Sequence, residues 1–227
     1  AHKWTWWAQM DCCCEPEVAK DRAERLFRLA ETSRLYGDCN RHAQRRGIKA
    51  PMPVLQGWHV DDYRRSADLL PVGEWPDLVG LGSVCRRSVN GEDGIIAIVE
   101  ALDRHLPSNV KLHLFGVKGA ALDVLGGHNR LKSIDSMAWD MAARRKWPTG
   151  RTMAKRIAEM HRWRNAQLER LTNTSAGMQS RLNFSEEEIE PFSDDGCEGW
   201  AELIASGEIE YQSASCHWAR EAAWVGC

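Results

Sequence analysis

Carboxylates, an amide and small residues stand at the ends of five short apolar runs. Asp11 closes KWTWWAQMD (3–11), Gln56 ends the apolar stretch of MPVLQGW (52–58), and Gly82 and Ser83 lie in DLVGLGSVC (77–85). Phe115 and Gly116 end VKLHLFGV (110–117), and Asp135 closes KSID (132–135). Carboxylates suit nucleophilic or acid–base work. An amide offers a donor and an acceptor together, and Gly lets a backbone approach a ligand closely. Each residue also has a plainer reading. Asp135 precedes a helical run and fits an N-cap, worth about 1 kcal/mol, and Asp11 is open to the same reading. Gln56-Gly57 fits a turn, and Phe115 fits core packing. GLGS (80–83) lacks the remainder of a dinucleotide fingerprint.

The elements that would position these residues alternate. The first run reads as a buried strand. A helix follows over 17–36, with apolar spacing through Val18, Ala23, Leu26, Phe27 and Ala30; Gly37 and Gly47 mark breaks. Asp61 or Asp62 is the expected cap of a helix ending by Pro71. Further helices are expected over 91–105, over 119–125 and from Asp135 through Arg144. Short apolar strands alternating with helices indicate parallel βα units with both sheet faces covered. The strand ends from Asp11 to Asp135 recur at about 31 residues, the spacing of a (β/α)8 TIM-type barrel. A doubly wound sheet has similar spacing, but polar residues repeated at strand ends favour the barrel. Five units fit within residues 1–145, so the barrel reads as incomplete, with amino-terminal units missing. The absent initiator Met before Ala1 agrees with that. Residues 146–227 read as a mainly helical carboxyl-terminal region, basic and then acidic.

Composition excludes other classes. The chain has 227 residues, 43% hydrophobic and 27% charged, with formal net charge −2. No apolar run approaches the roughly 18 residues of a membrane span, and no leader is visible. Eight cysteines without CxxC spacing read as reduced thiols in a cytoplasmic protein. A zinc site from Cys197, Cys216, His217 and Cys227 lacks ligand spacing, so no metal or other cofactor is expected. Between 144 and 164 lie eight Lys or Arg and a single Glu, with Trp147 and Trp163 interleaved. That pattern fits either a solvated helix face or a nucleic-acid backbone patch made by Arg144, Arg145, Lys146, Arg151, Lys155 and Arg156.

The order PVLQGW, DLVGLGSVCRR, LHLFGVKG, SIDSMAWDMAAR resembles the tRNA-guanine transglycosylase superfamily, in particular its DNA-directed branch, the deazapurine DNA modification (DpdA-like) proteins of phages and bacterial islands. Asp135-Ser136, Ala138, Trp139 and Ala143-Arg144 match the family's nucleophile segment, and QMDCCCEP resembles its base-reading segment. The resemblance covers about residues 3–145. It implies that Asp135 attacks the anomeric carbon, that Asp11 and Gln56 read the guanine edge, and that Gly82 and Ser83 receive the base carbonyl. It also implies that Phe115 covers the base. The implied reaction exchanges guanine in DNA for a 7-deazaguanine through a covalent sugar ester, with the base drawn out of the stack.

Two departures stand against the resemblance. The family's other essential acid lies in an SGGFQ-like stretch, and none precedes Asp11 in this chain. The zinc motif of the RNA enzymes is also lacking. The alternatives are an RNA-directed relative acting on tRNA, a non-catalytic nucleic-acid-binding barrel fragment, and an unrelated TIM-barrel lyase. The transglycosylase reading expects Asp135, Asp11 and Gln56 in one pocket.

Overall fold

A computed structural model describes residues 5–176. Within them the chain divides into two compact units. The first takes the chain up to Phe115 and again Asn129–Ile134; the second takes Gly116–His128 and the chain from Asp135 onward.

The first unit holds a four-stranded parallel sheet of β1 (Val54–Leu55), β2 (Leu78–Leu81), β3 (Lys111–Leu114) and β4 (Leu131–Ile134), in that spatial order. Val54 pairs with Gly80, Gly80 with His113, and His113 with Ser133. Helices α1 (Pro16–Ala19), α2 (Arg22–Arg46), α3 (Val60–Leu69) and α4 (Ile95–His105) complete the unit. The strands are short and fully apolar because both faces are covered. Val54, Leu55, Val79, Leu81, Leu112 and Leu114 are buried, as are Ile95, Ile98, Val99 and Leu102 from one face of α4. This α/β architecture, with consecutive strands side by side and parallel, is the local pattern expected of successive βα units.

Several expectations change. The run 3–11 forms one parallel bridge, Ala8 to Met52, instead of a strand. Its ladder stops because a side chain takes over: Gln9 Oε1 accepts the Val54 N–H at 3.0 Å, while Gln9 Nε2 donates to Thr32 O at 2.7 Å. Gly37 does not break the helix; it lies inside α2, which runs to Arg46. Arg34 pairs with Glu31 and Asp38, and Arg41 with Asp38, so ion pairs span the position where glycine weakens the helix by about 1 kcal/mol. Gly47 ends α2 in the left-handed conformation, φ 61°. The cap of α3 is His59, not Asp61 or Asp62. Asp62 sits inside the first turn and accepts the N–H groups of Trp58 and His59.

Two buried guanidinium groups tie loops to this sheet. Arg130 donates to the carbonyls of Asp103, Leu106, Pro107 and Val110. Arg87 donates to the carbonyls of Gly57, Trp58, Ser83 and Asp93. An Arg fork can satisfy several carbonyls at once, which no other side chain does.

The second unit contains a 3-10 turn (Gly119–Ala121), α5 (Leu122–Leu125), α6 (Ala138–Lys146) and α7 (Met153–Ala176). Asp140, on α6, is 1% exposed and binds both Arg144 and Arg156. Arg170 on α7 pairs with Asp123 on α5. Among the described residues no helix is long and apolar enough to cross a membrane.

Candidate active site

The first unit brings Asp11, Gln56, Gly82 and Ser83 together at the carboxyl ends of β1 and β2. Gln56 follows β1 directly and is 1% exposed. Its backbone N–H donates to Ser66 Oγ at 3.1 Å. Its amide is oriented at both ends. The Ser83 hydroxyl donates to Gln56 Oε1, and Gln56 Nε2 donates to Asp11 Oδ2. Ser83 Oγ in turn accepts the Cys14 N–H at 2.6 Å, which fixes the segment carrying Asp11 against the end of β2.

This relay needs two unusual backbone positions. Ser83 has φ 56°, the left-handed region that side chains disfavour. Tyr63 holds it there: its hydroxyl donates to Gly82 O at 2.9 Å and Ser83 O at 3.3 Å, and Arg87 donates to Ser83 O at 3.2 Å. Burial pushes the Tyr63 hydroxyl above its ordinary pKa, so it stays a donor. Residue 82 must be glycine because a Cβ there would collide with the Gln56 amide.

Asp11 is the open end of the relay. It is partly exposed, and Oδ1 has no partner among the described residues. Burial raises its pKa to about 6, against the lowering effect of the Gln56 hydrogen bond. Asp11 Oδ1 is therefore an acceptor awaiting an N–H donor. Of the two N–H groups expected at the 82–83 turn, Gly82 N–H is committed to Leu55 O at 3.0 Å within the β1–β2 ladder. Ser83 N–H has no acceptor among the described residues and is the free donor of the pair.

Phe115 follows β3 in the same unit. Its ring lies over Gly80, where a Cβ would come within 2.6 Å of Phe115 Cε2, and it meets the His113 ring edge-on at 4.5 Å. Sequence reasoning missed Tyr63, Arg87 and the Ser83 backbone. Only the Arg in SVCRR offered a signal, and its partners are distant in sequence.

Asp135 begins the second unit immediately after the last residue of β4. It is exposed, and its carboxylate accepts the Gly116 N–H. Helix α6 starts after Met137 without a side-chain cap, and Ser136 Oγ accepts the Ala138 N–H at 3.2 Å. Asp135 is thus not the N-cap. In the basic segment, Arg144 and Arg156 bind Asp140, Lys146 pairs with Glu159 at 3.3 Å, and Lys155 donates to Gly150 O. Lys146 and Lys155 also lie 4.8 and 5.3 Å from the Trp147 ring centroid. Cys12, Cys13, Cys14, Cys39 and Cys85 are free thiols, and burial raises the Cys14 pKa to about 12. Among the described residues no His, Cys, Asp or Glu cluster could hold a metal. The sequence candidates Cys197, Cys216, His217 and Cys227 lie outside the described residues.

The acid–amide–hydroxyl relay at two parallel strand ends agrees with one family model, DeoxyPurine in DNA protein A (DpdA), which matches residues 1–196. The chain belongs to the DpdA family. Membership places it in the DpdA-like branch of the tRNA-guanine transglycosylase superfamily, with a role in deazapurine DNA modification. Comparison with curated proteins gave no match. Within this DpdA-family chain, Asp11, Gln56, Gly82 and Ser83 form one hydrogen-bonded group, and Phe115 lies at the adjoining strand end.

Proposed function

We propose that this chain carries the base-exchanging centre of a DNA transglycosylase, which replaces guanine by a 7-deazaguanine derivative. The observation that carries the proposal is the Gln56 amide held between Asp11 and Ser83, within a chain of the DpdA family. Asp11 Oδ1 would accept N–H groups of the aminopyrimidinone edge, Gln56 would sustain the Asp11 carboxylate, and Ser83 N–H would donate to the base carbonyl. Phe115 would cover the base. Asp135 is assigned as nucleophile. Its carboxylate attacks C1′ as the glycosidic C1′–N9 bond breaks, and guanine leaves with that electron pair. The incoming deazaguanine then attacks C1′ through N9 and expels the carboxylate. It gives up its N9 proton and the departing guanine gains one, so the exchange is proton-neutral. The four parallel strands would be consecutive units of a (β/α)8 barrel.

The test is exchange of labelled guanine into DNA and into tRNA. Exchange into DNA that is abolished in Asp135→Ala, with DNA binding retained, supports the proposal. Exchange into tRNA alone, or activity that survives Asp135→Ala, overturns it.

A further inference from the structure

A second cleft opens in the first unit, apart from the Asp11–Gln56–Ser83 group. It has a volume of about 420 Å³ and is lined by Pro16, Ala19, Lys20, Arg22, Arg25, Trp58 and His59. The charges around it are unevenly engaged. Glu15 and Glu17 are taken by Arg86, and Asp21 caps α2 through the N–H groups of Ala23 and Glu24. Asp62 is taken by Arg25 and by two backbone N–H groups, and Asp93 by His59 at 2.7 Å. Lys20 and Arg22 are exposed and have no hydrogen bond or ion pair among the described residues. Arg25 is 7% exposed. It uses Nε on Asp62 and Nη1 on Ala19 O, and its Nη2 is left without a partner. The charge available to a ligand here is therefore positive, and it includes a buried guanidinium fixed by its other nitrogens.

Trp58 supplies the apolar wall. Arg87 stacks on it 4.2 Å from the ring centroid and is itself buried. Arg87 does not line the cleft, so Trp58 meets the cleft with the ring surface that Arg87 leaves uncovered. An aromatic platform braced from behind, beside three cations, matches a nucleotide: the base stacks and the phosphate meets Lys20, Arg22 and Arg25. A volume of this size lies within the range of small-ligand sites, about 300–1,000 Å³.

We propose that this cleft is a nucleotide subsite, with Trp58 stacking a base and Lys20, Arg22 and Arg25 Nη2 holding its phosphate. Its occupant is a nucleotide of the substrate strand beside the exchanged base, a statement that rests on the DNA-exchange reading; a free mononucleotide offers the same chemistry. Binding of a labelled short single-stranded DNA to the full chain is measured across a salt series, with deoxyguanosine monophosphate as competitor. Lys20→Ala/Arg22→Ala is expected to weaken binding about tenfold. It should also flatten the slope of log K against log salt by roughly 1.4, for two phosphate contacts. Trp58→Leu is expected to lose about tenfold through stacking, and Trp58→Phe to recover most of it. Competition by the mononucleotide, itself sensitive to the same variants, would identify a free nucleotide as occupant; DNA binding without such competition identifies the strand. Because Trp58 also carries Arg87, the exposed Lys20 and Arg22 decide the matter. Parent-like affinity and salt slope in Lys20→Ala/Arg22→Ala overturn the subsite. Guanine exchange is assayed in parallel. Its absence in the parent, with the variant effects on DNA binding intact, removes the exchange reading and leaves the subsite standing.

Discussion

Gln56 Nε2 donates to Asp11 Oδ2, and that bond makes the state of one carboxyl the setting of the whole site. The Asp11 pKa is raised to about 6, from 3.8, because burial disfavours its charge more than Gln56 restores it.

A pH dependence follows from this shift. Between about pH 4 and 6 the folded chain holds a proton on Asp11 that the unfolded chain has released, so stability falls as pH rises through that window. Base binding runs the other way, because only the carboxylate accepts N–H donors at both oxygens. Affinity for guanine or a 7-deazaguanine, measured by calorimetry, is expected to rise from pH 5 to pH 7 with a midpoint near 6. In Asp11→Asn the midpoint should vanish and affinity drop about tenfold or more, in line with roughly 1.5–3 kcal/mol for a hydrogen bond to a charged group. A midpoint retained in Asp11→Asn would show that another group titrates.

Ser83 separates hydroxyl from backbone. Ser83→Ala removes the donor to Gln56 Oε1 and the acceptor of Cys14 N–H, and it keeps a Cβ at φ 56°. Two buried groups are left unsatisfied, so a loss of about 1–3 kcal/mol is expected. Ser83→Gly makes the same deletions but relieves the left-handed residue. Denaturant unfolding should therefore rank the parent above Ser83→Gly, and Ser83→Gly above Ser83→Ala. The reverse order for the two variants would mean that Ser83 is not strained.

Gly82→Ala tests the close approach of the amide. The added Cβ collides with the Gln56 side chain, which has no free space because it is fully buried. Overpacking of this kind costs about 1–3 kcal/mol. The expected result is a lower midpoint of thermal unfolding, with base binding reduced by more than in a variant of equal instability elsewhere, such as Val99→Ala. Equal losses of binding would show that Gln56 takes no part in it.

Much of this site was legible because burial on both sheet faces leaves short apolar runs, and each run stops where polarity returns. That placed Gln56, Gly82, Phe115 and Asp135 at strand ends. The first run misled because Trp4, Trp6 and Trp7 look like a strand, whereas the Gln9 side chain replaces the ladder after one bridge. Gly37 misled because the ion pairs spanning it cannot be read from glycine alone. Tyr63 and Arg87 act on Gly82 and Ser83 from loops and helices distant in sequence, and the open charge around Trp58 depends on which acids are already paired. Neither leaves a pattern in spacing.

The basic segment divides by what each cation already holds. Arg144 and Arg156 are bound to the buried Asp140. Burial raises the Asp140 carboxyl, but the bonds from Arg156 and Arg144 outweigh it and hold the carboxyl below its ordinary range. Stability from this group is present above the ordinary carboxylate pKa and is lost as pH falls through the lowered value. Arg156→Ala should accordingly destabilise the chain by about 3 kcal/mol, the order seen when one partner of a buried ion pair is removed. Arg151 has no hydrogen bond or ion pair among the described residues, and Lys155 holds only a backbone carbonyl. Arg151→Ala and Lys155→Ala should leave the unfolding midpoint nearly unchanged. If the segment contacts a DNA backbone, each should instead flatten the salt dependence of binding by roughly 0.7–0.9 per phosphate. Salt titrations of DNA binding beside thermal melts would show the two behaviours in different residues. An unchanged salt slope in both Arg151→Ala and Lys155→Ala would reduce the segment to a solvated helix face.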